Sequence, residues 1–333
     1  MKAMLCTHYG PPEEMELKEL PSPTPGKNQV LVAVKACGVN FPDVLMLADK
    51  YQFKPPLPFP PGGEVAGTVK ALGEGVSNLK VGDRVAVSCG NGGFAEEVLA
   101  DARRCIPVPA NVSFEVASAF IVTYGTSYHA LKDRARLKAG ETLVVLGAAG
   151  GVGLSAVEIG AAMGAKVIAG ASSQEKVDLA MKHGASAGFV YPKLPLTRDQ
   201  QKAISDKIKE LTGGQGADVL YDPVGGQYSE PALRAMNWEG RYLVIGFAAG
   251  EIPKIPLNLT LLKGCDVQGV FWGASTQRDP KRANDSLHEI MKMIADGKLH
   301  PNVSAKFPLA DAGKSIRMLM DRKAMGKVVV TMG

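Results

Sequence analysis

The chain has 333 residues, 46% of them hydrophobic and 21% charged. At roughly 100 to 200 residues per domain this gives about two domains, and it excludes disordered, collagen-like and small disulfide-stapled chains. The formal charge of +5, from 38 Lys and Arg against 33 Asp and Glu, is spread without a basic block, so nucleic acid is not an indicated partner.

The first 120 residues read as short strands punctuated by turns. Residues 30–36, 64–72 and 84–88 are β-rich runs bounded by Gly, Pro or Asn, which predicts a β-rich barrel or sandwich. Pro55, Pro56, Pro58, Pro60 and Pro61 exclude helix there and predict an extended, partly rigid loop able to cover a cleft. From about residue 123 strands alternate with helices. Strands are predicted at 142–146, 166–169, 187–191, 217–221 and 242–246, and helices at 152–163, 175–183, 199–211 and 228–236. Continuous apolar strands linked by helices must be covered on both faces, so a parallel, doubly wound sheet is the economical reading. Residues 265–271 are strand-like, 283–295 and 310–319 helical, and 327–331 form a closing strand.

Five scattered cysteines without a Cys-x-x-Cys pair read as reduced intracellular thiols with no metal clip. The first ten residues lack the apolar core of a signal peptide. Glu158 and several glycines interrupt the apolar stretch 143–165, so no bilayer helix and no membrane partner are expected. A cytoplasmic protein is the resulting expectation.

The most informative stretch is Gly147-Ala148-Ala149-Gly150-Gly151-Val152-Gly153, between a predicted strand and a predicted helix. It matches the dinucleotide fingerprint, with Ala148 in the first glycine slot and Gly150 and Gly153 in the second and third. Gly150 would let the backbone approach a pyrophosphate, Gly153 would let the helix pack on the strand, and the helix start at Gly151 and Val152 would offer free N–H groups. At the end of the next strand, the slot that carries an acid in NAD sites aligns with Ala171. Nothing there repels a 2′-phosphate. Ser172 and Ser173 can donate hydrogen bonds and Lys176 can supply a charge, which favours NADPH over NADH; Ser172 and Glu175 also have capping-box spacing.

Taken with Val39-Asn40-Phe41-Pro42-Asp43, Pro61-Gly62-Gly63-Glu64-Val65-Ala66-Gly67, Val81-Gly82-Asp83-Arg84-Val85 and Gly326-Lys327-Val328-Val329, the glycine turn makes the whole chain resemble one family. That family is the zinc-free, zeta-crystallin-like quinone oxidoreductase group of the medium-chain dehydrogenase/reductase superfamily. The resemblance implies an α/β protein with a GroES-like β-barrel catalytic domain (residues 1–122 and 273–333) and a Rossmann NADPH-binding domain (123–272), with the active site in the cleft between them. Zinc-dependent relatives hold their metal with a cysteine and a histidine where this chain has Asn40 and Gly63, and their four-cysteine lobe is missing, so no metal site is expected. Tyr128 and Lys132 have the Tyr-x-x-x-Lys spacing of short-chain dehydrogenases, but precede the glycine turn instead of following it. They read as packing and surface residues.

By the same resemblance Asn40 and Tyr51 would line the substrate end as catalytic residues, one bonding a carbonyl and the other donating to a developing oxyanion. Thr126, Gly246 and Phe247 would border the nicotinamide, Phe271 and Trp272 would form an apolar wall, and Tyr191 and Lys327 are further cofactor contacts. Glu64, His129 and His183 read as structural. Without zinc or a strong base, reduction is favoured over alcohol oxidation, because an enol or hydroquinone anion can take its proton from water. The leading expectation is NADPH-dependent reduction of a quinone or activated enone. An enoyl-thioester reductase, such as one for acryloyl-CoA, and an NADPH-binding protein with little turnover are the alternatives. A homodimer joined through the edge near residues 265–271 is also expected.

Overall fold

The computed structural model describes residues 1–333, which divide into two units, one formed by Met1–Thr123 with Lys281–Gly333 and one by Tyr124–Pro280. In chain order the first segment contains strands β1 (Lys2–Leu5), β2 (Glu16–Glu19), β3 (Gln29–Val39), β4 (Glu64–Leu72), β5 (Arg84–Ser88), β6 (Glu97–Asp101) and β7 (Ile106–Pro107). Helices α1 (Phe41–Leu47), α2 (Phe114–Ala117) and α3 (Ile121–Tyr128) accompany them. The middle segment contains β8 (Thr142–Leu146), α4 (Gly151–Ala162), β9 (Lys166–Ala171), α5 (Gln174–Lys182), β10 (Ala187–Val190) and α6 (Arg198–Leu211). It continues with β11 (Ala217–Asp222), α7 (Ser229–Arg234), β12 (Met236–Val244), α8 (Asn258–Lys263), β13 (Asp266–Gly269) and α9 (Trp272–Arg278). The last segment adds α10 (Pro280–Ala295), β14 (Val303–Pro308), α11 (Ala312–Met320) and β15 (Lys327–Thr331). No helix is long and apolar enough to cross a membrane.

The first unit is built on a seven-stranded sheet ordered β14-β15-β3-β4-β5-β7, with β6 also pairing β3. In β3, Val30, Val32 and Val34 alternate into a core shared with Val65, Val85, Val87, Val328 and Val330, the pattern expected of β-branched residues on a half-buried pleat. Gly67 is needed where β4 crosses β3, because a Cβ there would lie 2.0 Å from the Ala33 carbonyl oxygen. The last strand is sewn in antiparallel, Val328 opposite Val39 and Thr331 opposite Ala36.

The second unit is a parallel sheet ordered β10-β9-β8-β11-β12-β13, the doubly wound order in which the chain reverses direction between β8 and β11. β8 is an unbroken apolar run buried on both sides, as a central parallel strand must be. Thr197 and Gln200 cap α6 reciprocally, and α8 stops at Gly264 in the left-handed region (φ 55°).

Two departures from the sequence reading have local causes. The helix expected at 228–236 ends at Arg234, because Met236 is already paired with Ala217 in β12, and that strand starts six residues earlier than expected. Trp238, Glu239 (φ 58°) and Gly240 disguise its first half. The helix Trp272–Arg278 carries no apolar periodicity and was not anticipated.

Candidate functional site

In the Tyr124–Pro280 unit the switch point lies between the ends of β8 and β11, and the glycine turn occupies it. Gly147 takes φ 60°, Gly150 caps α4, and the first intrahelical bond runs from Leu154 N to Gly150 O at 2.8 Å. The amides of Gly151, Val152 and Gly153 therefore precede the helical ladder and form an anion-facing turn. A Cβ on Gly153 would stand 2.1 Å from the Gly147 carbonyl oxygen, whereas one on Gly150 meets only that oxygen, at 3.4 Å. Gly153 thus serves helix–strand packing, and Gly150 leaves open ground above the turn. Ala148 is fully buried beneath it. This cradle fits the pyrophosphate of a dinucleotide.

Two hydroxyls that sequence reading missed brace the turn. Ser127 and Ser155 each donate to the Val152 carbonyl at 3.0 Å, and Ser127 also lies 2.8 Å from the Tyr221 hydroxyl. Single serines on different elements leave no pattern in a sequence.

At the end of β9, Ser173 caps α5 by accepting from the Lys176 amide, and the Lys176 ammonium lies 3.3 Å from the Ser172 hydroxyl. The three residues are gathered on one rim, and Ala171 is the last residue of the strand. Tyr191, just beyond β10, is buried with its ring 4.7 Å from that of Tyr228. Gly246 and Phe247 follow β12, with the amides of Ile245 and Gly246 directed to the Asp222 carbonyl. Trp272 lays its indole on α3 at Gly125, beside half-buried Thr126, since a Cβ on Gly125 would approach the ring to 2.6 Å. Phe271 is exposed. His183 and Tyr124 both bond the buried Glu158 carboxylate on α4, which ties the two helices flanking the turn to it.

In the other unit, Asn40, Glu64 and Lys327 form a buried polar cluster. The Lys327 ammonium donates to the Val39 carbonyl (3.1 Å), Asn40 Oδ1 (2.6 Å) and Glu64 Oε1 (2.7 Å). Those three bonds use all its hydrogens, and none is left for the cofactor contact that the resemblance implied. Asn40 Nδ2 donates to Glu64 Oε1 (2.8 Å) and the Gly38 carbonyl (3.3 Å), so its amide is committed within the protein instead of being offered to a substrate carbonyl. Glu64 is the hub, its second oxygen accepting from the Val122 amide at 2.9 Å. Asp43 accepts from the amides of Asn40 (2.7 Å) and Gly62 (3.0 Å), and burial pushes its pKa up to about 6. Tyr51 packs on the barrel core, and burial with the nearby Asp43 charge raises its pKa.

A zinc ion does not fit this donor set. Asn40 Oδ1 faces an ammonium, position 63 has no side chain, and desolvation holds the Cys37 thiol far above its usual range and pushes Cys89 up to about 12. No three His, Cys, Asp or Glu side chains are grouped to hold a metal.

A parallel sheet with a dinucleotide turn and a separate barrel-type sheet define a medium-chain dehydrogenase/reductase. Residues 26–110 match the family described as the alcohol dehydrogenase GroES-like domain, and residues 151–289 the family described as zinc-binding dehydrogenase. The chain is 41% identical, over 99% of its length and 88% of the relative's, to a quinone oxidoreductase-like protein 2 homolog of Nematostella vectensis. It is 33% identical to the quinone oxidoreductase of Sus scrofa, over 99% of this chain and 97% of that one. Among solved structures, Escherichia coli quinone oxidoreductase in complex with NADPH superposes with a TM-score of 0.90 at 28% identity, covering 99% of this chain and 100% of that one. The chain belongs to the quinone oxidoreductase family of the medium-chain dehydrogenase/reductases, an oxidoreductase family.

Proposed function

We propose that the protein is an NADPH-dependent, zinc-independent reductase of quinones or activated enones, with Tyr51 and Thr126 at the reacting end. The observation that carries this reading is the glycine turn at the switch point together with the Ser172, Ser173 and Lys176 rim at the end of β9, where no carboxylate stands against a 2′-phosphate. The NADPH complexes of the Escherichia coli and Thermus thermophilus quinone oxidoreductases support it. NADPH would supply the hydride, and a quinone that accepts it takes one proton from water to leave as hydroquinone. The chain's own part is positional: amides of α4 hold phosphate, Lys176 and the serines read the 2′-phosphate, and Tyr51 donates to the oxygen that gains charge. Protein that contains no zinc by elemental analysis and oxidises NADPH with a quinone in chelator is the expected result. One zinc per chain, lost together with activity, or alcohol oxidation faster than quinone and enone reduction, would overturn it.

We also infer a homodimer paired through β13. The support is the exposed apolar surface beside that edge, where Leu257 is 79%, Leu261 79% and Trp238 69% accessible, an arrangement that a second copy would remove from water.

A further inference from the structure

Asp222 is the last residue of β11, on the far side of the switch point from the glycine turn, and it is 3% exposed. A buried carboxylate is tolerated only when its oxygens are supplied with donors, and this one meets four. Oδ1 accepts from the amides of Val224 (2.8 Å) and Gly225 (2.9 Å), and Oδ2 accepts from the Ser229 hydroxyl (2.8 Å) and the Tyr242 hydroxyl. Its side chain thus fixes the turn after β11, the start of α7 and the middle of β12 at once.

That turn is interlocked with its neighbours on both sides. Ala248 N donates to Pro223 O at 3.1 Å, Ala249 N to Val224 O at 2.8 Å, and Gly226 N to Glu251 O at 3.1 Å, which zips it to the loop carrying Gly246 and Phe247. A Cβ on Gly225 would stand 2.9 Å from the Phe247 ring, and one on Gly147 would stand 2.9 Å from Val224 Cγ2. The loops after β8, β11 and β12 are therefore one surface at the carboxyl ends of three adjacent strands.

We propose that Asp222 is the positioning residue for the nicotinamide half of the dinucleotide site. The proposal rests on the NADPH reading above and deepens it. With the adenosine end at the rim after β9 and the phosphates at the turn after β8, an extended dinucleotide crossing the sheet ends must place its nicotinamide against the loops after β11 and β12. Those are the two loops that Asp222 holds together. It acts through Val224, Gly225 and the Phe247 loop and does not itself reach the ligand.

The test compares two ligands. 2′,5′-ADP reports the adenosine and phosphate half alone, and NADPH reports both halves. Asp222→Ala is expected to weaken NADPH binding about tenfold and to lower kcat with a quinone by a similar factor, while 2′,5′-ADP binds within twofold of wild type. Asp222→Asn keeps an acceptor for the Val224 and Gly225 amides and recovers most of both losses, since Ser229 and Tyr242 can turn their hydroxyls to accept. Tyr242→Phe removes one donor and keeps the ring, so it shows a smaller split in the same direction even if the alanine variant does not fold. Equal loss of both ligands, or no loss of NADPH in any of the three variants, overturns the proposal. Wild-type protein that binds neither ligand overturns the NADPH reading, and this proposal with it.

Discussion

Gly150 and Gly153 stand three residues apart and respond to a side chain in opposite ways. At position 153 a methyl group would collide with the Gly147 carbonyl at 2.1 Å, so Gly153→Ala should lower the unfolding free energy by about 1 to 3 kcal/mol, the usual range for forced overpacking. At position 150 the backbone is ordinary (φ −77°) and the nearest atom is 3.4 Å away, so Gly150→Val should melt near wild type yet lose NADPH, seen as loss of cofactor fluorescence enhancement. A Gly150→Val protein that binds NADPH normally would remove the turn from the cofactor site. Asp43 gives a pH signature. Its folded pKa of about 6 is raised above the unfolded value of about 3.9, so the native state holds a proton that the unfolded chain has released. This stabilisation is complete below pH ~4 and lost as pH rises through ~6, on the order of 3 kcal/mol in all. Urea midpoints should decline across that window in wild type, and Asp43→Asn should remove this part of the slope; an unchanged slope would refute the assignment. At this scale the sequence was legible where chemistry is local, as in the glycine turn, but its capping-box spacing pointed to Ser172 and Glu175, where the structure caps α5 one residue later with Ser173 accepting from the Lys176 amide. It was silent where partners are distant: Lys327 meets Glu64 across 263 residues, and the four donors to Asp222 come from three elements.

Under the proposed function, α5 joins 2′-phosphate reading to helix capping in one turn. Ser173 caps it by accepting from the Lys176 amide, the ladder begins with Val177 N to Ser173 O, and the Lys176 ammonium faces Ser172. Lys176→Ala should therefore reduce the preference for NADPH over NADH with little change in stability, whereas Ser173→Ala should cost about 1 kcal/mol of stability through the lost cap. Kd values for both cofactors and melting curves of each variant separate the two roles. Unaltered selectivity in Lys176→Ala would move 2′-phosphate recognition elsewhere. Elements with strong periodicity were readable nearly to the residue, β4, β5, β8 and β15 among them, because apolar runs bounded by turn residues have few other solutions. β12 was misjudged because its order comes from pairing with β11 across a register shift, which local propensity does not encode.

For the whole molecule, pairing of β13 edges predicts a dimer mass by light scattering at micromolar concentration. Placing glutamates at Leu261 and Leu262, both largely exposed, should shift the protein to monomer by charging that surface on both copies, without unfolding it. A monomer mass for the wild type would rule the pairing out.

The divided course of the first unit has a consequence for synthesis. Residues 124–280 are contiguous and can complete their sheet as soon as they are made, while β3 must wait for β15, some 290 residues later in the chain, before its edge is filled. Until then Glu64 lacks the Lys327 ammonium, and a carboxylate enclosed without its cation is strongly unfavourable. The growing polypeptide should therefore build its nucleotide-binding half first and hold its amino-terminal third open, exposed to chaperones and proteases, until the final strand arrives to lock it.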